Sequence, residues 1–204
     1  MAKKNHKRRP GLMSNSSIPY ARRLQIHKQQ EIVTCRDHAA RIAMYCVCAA
    51  LHDLEGIAYQ RLIRFATHHK TLVNEFYEDP DVGMAHCKQR MAELGLPIDG
   101  EFYIPEDTGK RKYDYELQTH ALQAVQVALY LGTIAANDVF GFGPERQRRL
   151  GDRVRYYSSR YGKEGSGFLL EKMKKIGFTV ANGVALAFVD EEGKAVKPSK
   201  VEYA

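Results

Sequence analysis

The run from Pro19 to Leu54 constrains the fold of this chain more than any other. Ile32, Cys35, Ala39, Ile42, Cys46 and Ala49 recur at alternating spacings of three and four. That spacing lays them on one continuous helical seam. Val33, Ala40, Ala43, Val47, Ala50 and Leu54 form a flanking row that widens it. Most of these side chains are small, so a second helix can approach closely. The first third of the run, with Arg22, Arg23 and Lys28, is too polar to be fully buried.

Further helical patterns follow. Gly56 interrupts the seam, and a second helix is expected over about 57–77, with Leu62, Ile63, Phe65, Ala66, Leu72, Val73 and Phe76 as its apolar residues. Asp79-Pro80 opens a third over about 80–94, with Pro80 in its first turn and Gly95 at its stop. Residues 96–112 read as a loop with one short extended piece at Phe102–Ile104. Residues 117–137 contain no Lys, Arg, Asp or Glu, yet Gln118, His120, Gln123 and Gln126 break the apolar run. What remains uninterrupted is too short to cross a bilayer, so this is a central buried helix, over about 113–138. A fifth helix is expected over about 144–161 and a sixth over about 166–176, ending at Gly177. The period then changes. FTVANGVALAFV alternates around Asn182-Gly183, the dipeptide of a type I′ hairpin turn, and Asp190–Gly193 is a second turn signal. The expected fold is mainly α, a helical bundle of about six helices with a small C-terminal β-hairpin. It divides into a flexible basic arm (1–17), an α-helical domain (18–177) and the hairpin with its tail (178–204). At 204 residues, such a domain builds a core without disulfides or metals.

Charge is unevenly spread. The formal net charge is +7. Lys3, Lys4, Lys7, Arg8 and Arg9 carry +5 of it in the first nine residues. Residues 145–163 carry another +5, from seven Lys or Arg against Glu145 and Asp152. The rest of the chain is therefore net negative. Positive charge gathered in two places is the footprint of an anionic partner, most often nucleic acid. A solubilising tail beside a solvated helix face would look the same.

The second basic stretch opens with Phe140-Gly141-Phe142-Gly143-Pro144-Glu145. It is not a GxGxxG fingerprint and lacks the Lys-Ser/Thr of a P-loop. Pro144 removes an N–H that could hold phosphate, and Glu145 neutralises the positive helix end. Gly141 is expected as a helix C-cap, Gly143 as an N-cap, and the two Phe as anchors of a tight corner. In the helix beyond, Arg146, Arg153 and Arg160 are seven apart and nearly eclipsed, with Arg149 and Tyr156 beside them. Leu150, Val154, Tyr157 and Tyr161 make the adjoining inward face; Arg148 and Arg155 fall opposite. Arginines so placed reach successive phosphates, and Tyr156 offers a stacking face. A solvated face and an acidic protein partner are the competing readings.

No metal or catalytic centre stands out. Cys35, Cys46, Cys48 and Cys87 form no CxxC pair and read as reduced core thiols, with the histidines at the surface. Cys35 with His38, and Cys48 with His52, each share a helix face, but about 20 Å of helical rise separates the two pairs, so they cannot share a zinc. Neither G-x-S-x-G nor H-E-x-x-H occurs. Glu75, Glu78, Asp79 and Asp81 are expected to cap the helix that starts at Pro80. No cofactor is implied.

Asn137-Asp138-Val139-Phe140-Gly141-Phe142-Gly143, followed by Arg146 and Leu150, resembles small uncharacterised proteins encoded by phages and prophages of Gram-positive bacteria. These commonly show an acidic residue, Phe-Gly-Phe-Gly and then a basic helix. Residues 76–85, FYEDPDVGMA, resemble them too, and the likeness is strongest over about 60–180. Val139 stands where an acidic residue is more usual. The resemblance implies an early or accessory gene product of a phage, acting in the bacterial cytoplasm in replication, recombination, transcription control or counter-defence. It transfers no catalytic residues. The expected function is therefore a non-enzymatic accessory protein that binds nucleic acid through its backbone charge. Lys3, Lys4, Lys7, Arg8, Arg9, Arg146, Arg149, Arg153, Tyr156 and Arg160 would carry it. The alternative is a counter-defence inhibitor, anti-CRISPR-like, that docks on a host protein or nucleoprotein complex. A metal-dependent enzyme is the weakest reading. No membrane partner is expected, and a homo-oligomer is compatible with all three.

Overall fold

The computed structural model describes residues 19–95, 112–181 and 184–186. They form α1 (Tyr20–Glu55), α2 (Tyr59–Glu78), α3 (Pro80–Glu93), α4 (Lys112–Phe140), α5 (Pro144–Glu164), α6 (Gly167–Ile176), β1 (Thr179–Ala181) and β2 (Val184–Leu186). The architecture is a mainly α bundle with a two-stranded antiparallel ribbon, Val180 facing Ala185, as the sequence led us to expect. The basic arm, the extended piece at Phe102–Ile104, the Asn182-Gly183 turn and the turn signal at Asp190–Gly193 lie outside the described residues. Among the described residues no helix is long and apolar enough to cross a membrane.

α1 is the spine. Its 36 residues extend about 54 Å, and α4, α5 and α6 all pack against it. The small residues of its seam do what their size suggested: Ala43 is fully buried against Val125 and Ala128 of α4. Further along, Cys46, Ala49, Ala50 and Leu51 meet Leu62 and Phe65 of α2, Leu150 and Val154 of α5, and Leu169 and Met173 of α6. Each large apolar side chain sunk in this way contributes about 1.5–3 kcal/mol. Burial begins only at Ile32; nearly all of α1 before it is exposed, and Val33 of the flanking row stays 53% exposed. Lys28 pairs with Glu116 of α4 at 2.6 Å. At the other end Gly56 takes a left-handed conformation, φ 59°, and stops the helix.

α3 stands apart from the main core. It packs on α2 and α4 through Cys87 and Met91, which meet Phe76, Val127, Tyr130, Leu131 and Ile134. Of the acidic run expected to cap it, Asp79 does so, accepting a hydrogen bond from the Val82 N–H at 3.3 Å, and Asp81 lies in the first turn. Gly83 lies so close to Phe76 that an added Cβ would sit 2.9 Å from its ring and 3.0 Å from its carbonyl oxygen. The hairpin is tied to the spine by Tyr45, whose hydroxyl accepts from the Ala185 N–H at 2.7 Å.

One expectation is corrected. His69, expected at the surface with the other histidines, is buried. It falls on the inward face of α2, and its Nε2 donates to the Ala128 carbonyl of α4 at 3.3 Å. Burial lowers its pKa to about 4; the bond to Ala128 opposes that shift and the neighbouring His68 adds to it.

Candidate nucleic-acid interface

The candidate interface centres on the corner between α4 and α5. Gly141 has φ 65°, and its N–H donates back to the Asn137 carbonyl at 2.7 Å. The Asn137 side chain reaches across the turn and donates to the Phe142 carbonyl at 3.1 Å. Gly143 is extended and Pro144 starts α5, the punctuation expected for a sharp change of direction. Phe142 is buried, and Phe140 stacks on fully buried Phe65 at 6.0 Å. Gln147 donates to the Thr133 carbonyl at 2.9 Å and locks the first turn of α5 onto α4. The glycines therefore shape a sharp corner.

α5 turns Leu150, Val154 and Tyr157 into the core and half-buries Tyr161, so its basic stripe faces outward along one side. The four stripe arginines are not equivalent, however. Arg153 donates through Nε (3.2 Å) and Nη2 (2.5 Å) to Oδ2 of Asp53 on α1. Tyr157 donates to the same oxygen at 2.5 Å, and Lys172 of α6 donates to Oδ1 at 2.5 Å. Burial pushes the Asp53 carboxyl up, but the bonds from Lys172, Tyr157 and Arg153 outweigh it and hold the group well below the usual carboxylate range. The Tyr157 hydroxyl is pushed up, by burial and then by its bond to Asp53. Arg153 thus belongs to a brace that joins α1, α5 and α6.

Arg160 is also engaged. Its Nε and Nη2 each donate to a Glu164 oxygen at 2.7 Å, a two-pronged fork, and its guanidinium lies over Phe168 at 4.6 Å. Tyr156 is 44% exposed, but Arg153 already sits 4.5 Å above its ring. A base would have to compete for that face. On the far side of the helix Arg155 pairs with Asp152 at 2.7 Å.

Arg146 and Arg149 differ from the rest. Both are exposed, and neither forms an ion pair with a carboxylate among the described residues. Arg146 rests over the Phe142 ring at 5.6 Å. Arg61 of α2 rests in the same manner over Phe140 at 5.1 Å. The sequence reading did not include Arg61, Asp53 or Lys172. Nothing local signals them, because their partners lie 79, 100 and 119 positions away.

The arm residues Lys3, Lys4, Lys7, Arg8 and Arg9 lie outside the described residues. Among those described, no three His, Cys, Asp or Glu side chains gather as a metal site requires, and the four cysteines are free. No family model matches the chain, nor does any curated protein or solved structure.

Proposed function

We propose that the protein binds nucleic acid, without catalysis, through electrostatic contact with the phosphate backbone. The observation that carries this reading is the pair Arg146 and Arg149. They are exposed on the most basic helix with no carboxylate partner among the described residues. The +5 of the arm Lys3–Arg9 adds a second cationic element. The resemblance to phage and prophage proteins supports an accessory role in the cytoplasm of a bacterial host. Binding of this kind falls steeply with salt and varies little with sequence. The test is a mobility shift on duplex and single-stranded DNA and RNA at two salt concentrations. A shift that weakens with salt, alike for unrelated sequences, is expected. No shift at low salt sinks the reading.

A second reading has one observation in its favour. Tyr20, Leu24, Ile26 and Val33 are exposed apolar residues on the first half of α1, and such residues suit a protein partner. The protein would then be a counter-defence inhibitor that docks on a host complex. Capture of a host partner that survives nuclease treatment supports this reading; loss of every partner after nuclease counts against it.

A further inference from the structure

The arginine pattern of α5 points along the helix axis, yet the ion pairs interrupt that path after Arg149. We propose that the backbone is gripped at the α4–α5 corner by four arginines from two helices: Arg61 and Arg64 of α2 with Arg146 and Arg149 of α5. This rests on the reading of the protein as a nucleic-acid binder and says where the phosphates sit.

The corner presents two guanidiniums on two adjoining aromatic rings. Arg61 lies 5.1 Å from the Phe140 centroid and Arg146 lies 5.6 Å from that of Phe142. The two rings are 5.7 Å apart. A guanidinium held over a ring is held by its face, so the N–H donors around its edge stay free for an anion. Arg160 also lies over a ring, but its fork onto Glu164 occupies those donors. The pedestals are rigid: Phe142 belongs to the core, and Phe140 stacks on Phe65. The cations are thus pre-positioned and little ordering cost remains for binding.

Arg64 and Arg149 extend the pair. Each follows its neighbour by three residues, so each shares its helix face at about 5–6 Å between Cβ atoms. Both are exposed, and neither forms an ion pair with a carboxylate among the described residues. The result is a track that leaves α5 at its first turns and crosses onto α2. Two carboxylates flank the corner in sequence, Asp138 before Phe140 and Glu145 before Arg146. Asp138 is held by His68 at 3.0 Å and by Arg90 at 3.3 Å. Glu145, in the first turn of α5, opposes an anion, so Glu145→Gln should tighten binding.

The experiment measures affinity of the full chain for a mixed-sequence DNA duplex and its single strand over a salt series. Proteins compared are the wild type, Arg61→Gln/Arg64→Gln, Arg146→Gln/Arg149→Gln and, as a charge control on α3, Lys88→Gln. Thermal melts check that each variant folds. Each double variant should bind the duplex roughly tenfold or more weakly at low salt. Its log–log salt slope should shrink by about 2, because each lost phosphate contact removes about 0.9. Lys88→Gln should change affinity less than about twofold. Wild-type affinity in folded Arg61→Gln/Arg64→Gln overturns the corner while leaving nucleic-acid binding intact. No binding by the wild type at low salt overturns both.

Discussion

Arg153 of α5 and Asp53 of α1 stand one hundred positions apart in sequence and close an ion pair that joins the most basic helix to the spine. The Asp53 side chain is 17% exposed, and Lys172 of α6 holds its other oxygen. Arg153, although it lies on the outward stripe, is therefore first a structural residue. Changing it together with Arg146 and Arg160 to Glu would set like charges at Asp53. The loss of anion binding expected from such a triple variant would then be entangled with loss of stability.

Asp53→Ala should lower stability by on the order of 2–4 kcal/mol, since it strands three donors at once. Urea denaturation measures this as a lower midpoint. An unchanged midpoint would mean that Asp53 does not brace the bundle. The same carboxylate adds acid sensitivity. Its pKa is depressed in the folded state, so its contribution is full above the ordinary carboxylate pKa and is lost as pH falls through the folded value. The stability gap between wild type and Asp53→Asn should accordingly narrow below about pH 4.

His69 acts at milder pH. Its folded pKa is about 4 against an ordinary value of 6.5, so the unfolded chain takes up a proton first. Stability tied to neutral His69 is full above the ordinary value and is lost as pH falls toward 4, at up to about 1.4 kcal/mol per pH unit. His69→Asn should remove this slope between those two values. If wild type and variant lose stability in parallel across that window, His69 is not the buried neutral group described.

Gly83→Ala should cost on the order of 1–3 kcal/mol by overpacking. The nearest atoms to the new methyl include the backbone of Phe76, which cannot swing aside as a side-chain end could. The loss should be concentrated in α3, where amide exchange of Cys87 and Met91 should accelerate more than that of Leu51 or Leu62. Uniform acceleration would argue against α3 as a separate packing unit.

Thiol labelling should rank the cysteines. Burial pushes the Cys46 and Cys48 thiols up to about 12, and the thiolate is the reactive form. In the native protein at mildly alkaline pH, Cys35, which is only half-buried, should react first. Cys46 and Cys48 should react only on unfolding. Fast native labelling of Cys46 or Cys48 would contradict the packing of α1.

The helices were legible because their signals are local. Asp79-Pro80, the pair Gly141 and Gly143, and the three-and-four spacing of the α1 seam each encode an element within a few residues. The face of α5 was legible for the same reason, whereas the equally local (i, i+4) pairing of Arg160 with Glu164 was not part of that reading. What periodicity cannot carry is which charge another helix will neutralise. Arg146 and Arg153 are equivalent on a helical wheel. One rests on a ring beside it in the chain, and the other meets a carboxylate at the far end of a different helix. His69 was missed for a related reason: a histidine on an inward face is burial-compatible only because an α4 carbonyl accepts a hydrogen bond from its ring N–H.

The delayed onset of burial along α1 makes this helix one body in its hydrogen bonds and two in its lifetime. From Ile42 to Leu51 almost every residue is in the core, and opening there requires the whole bundle to open. From Tyr20 to Glu31 the helix overhangs its first buried residue by about 18 Å. Among the described residues, local helical bonds, the His27–Glu31 pair and the Lys28–Glu116 tether restrain it there. A helix segment so short and so little packed opens and closes on its own. Of the described residues of the spine, those of this overhanging spar should exchange their amide protons first and those from Ile42 to Leu51 last.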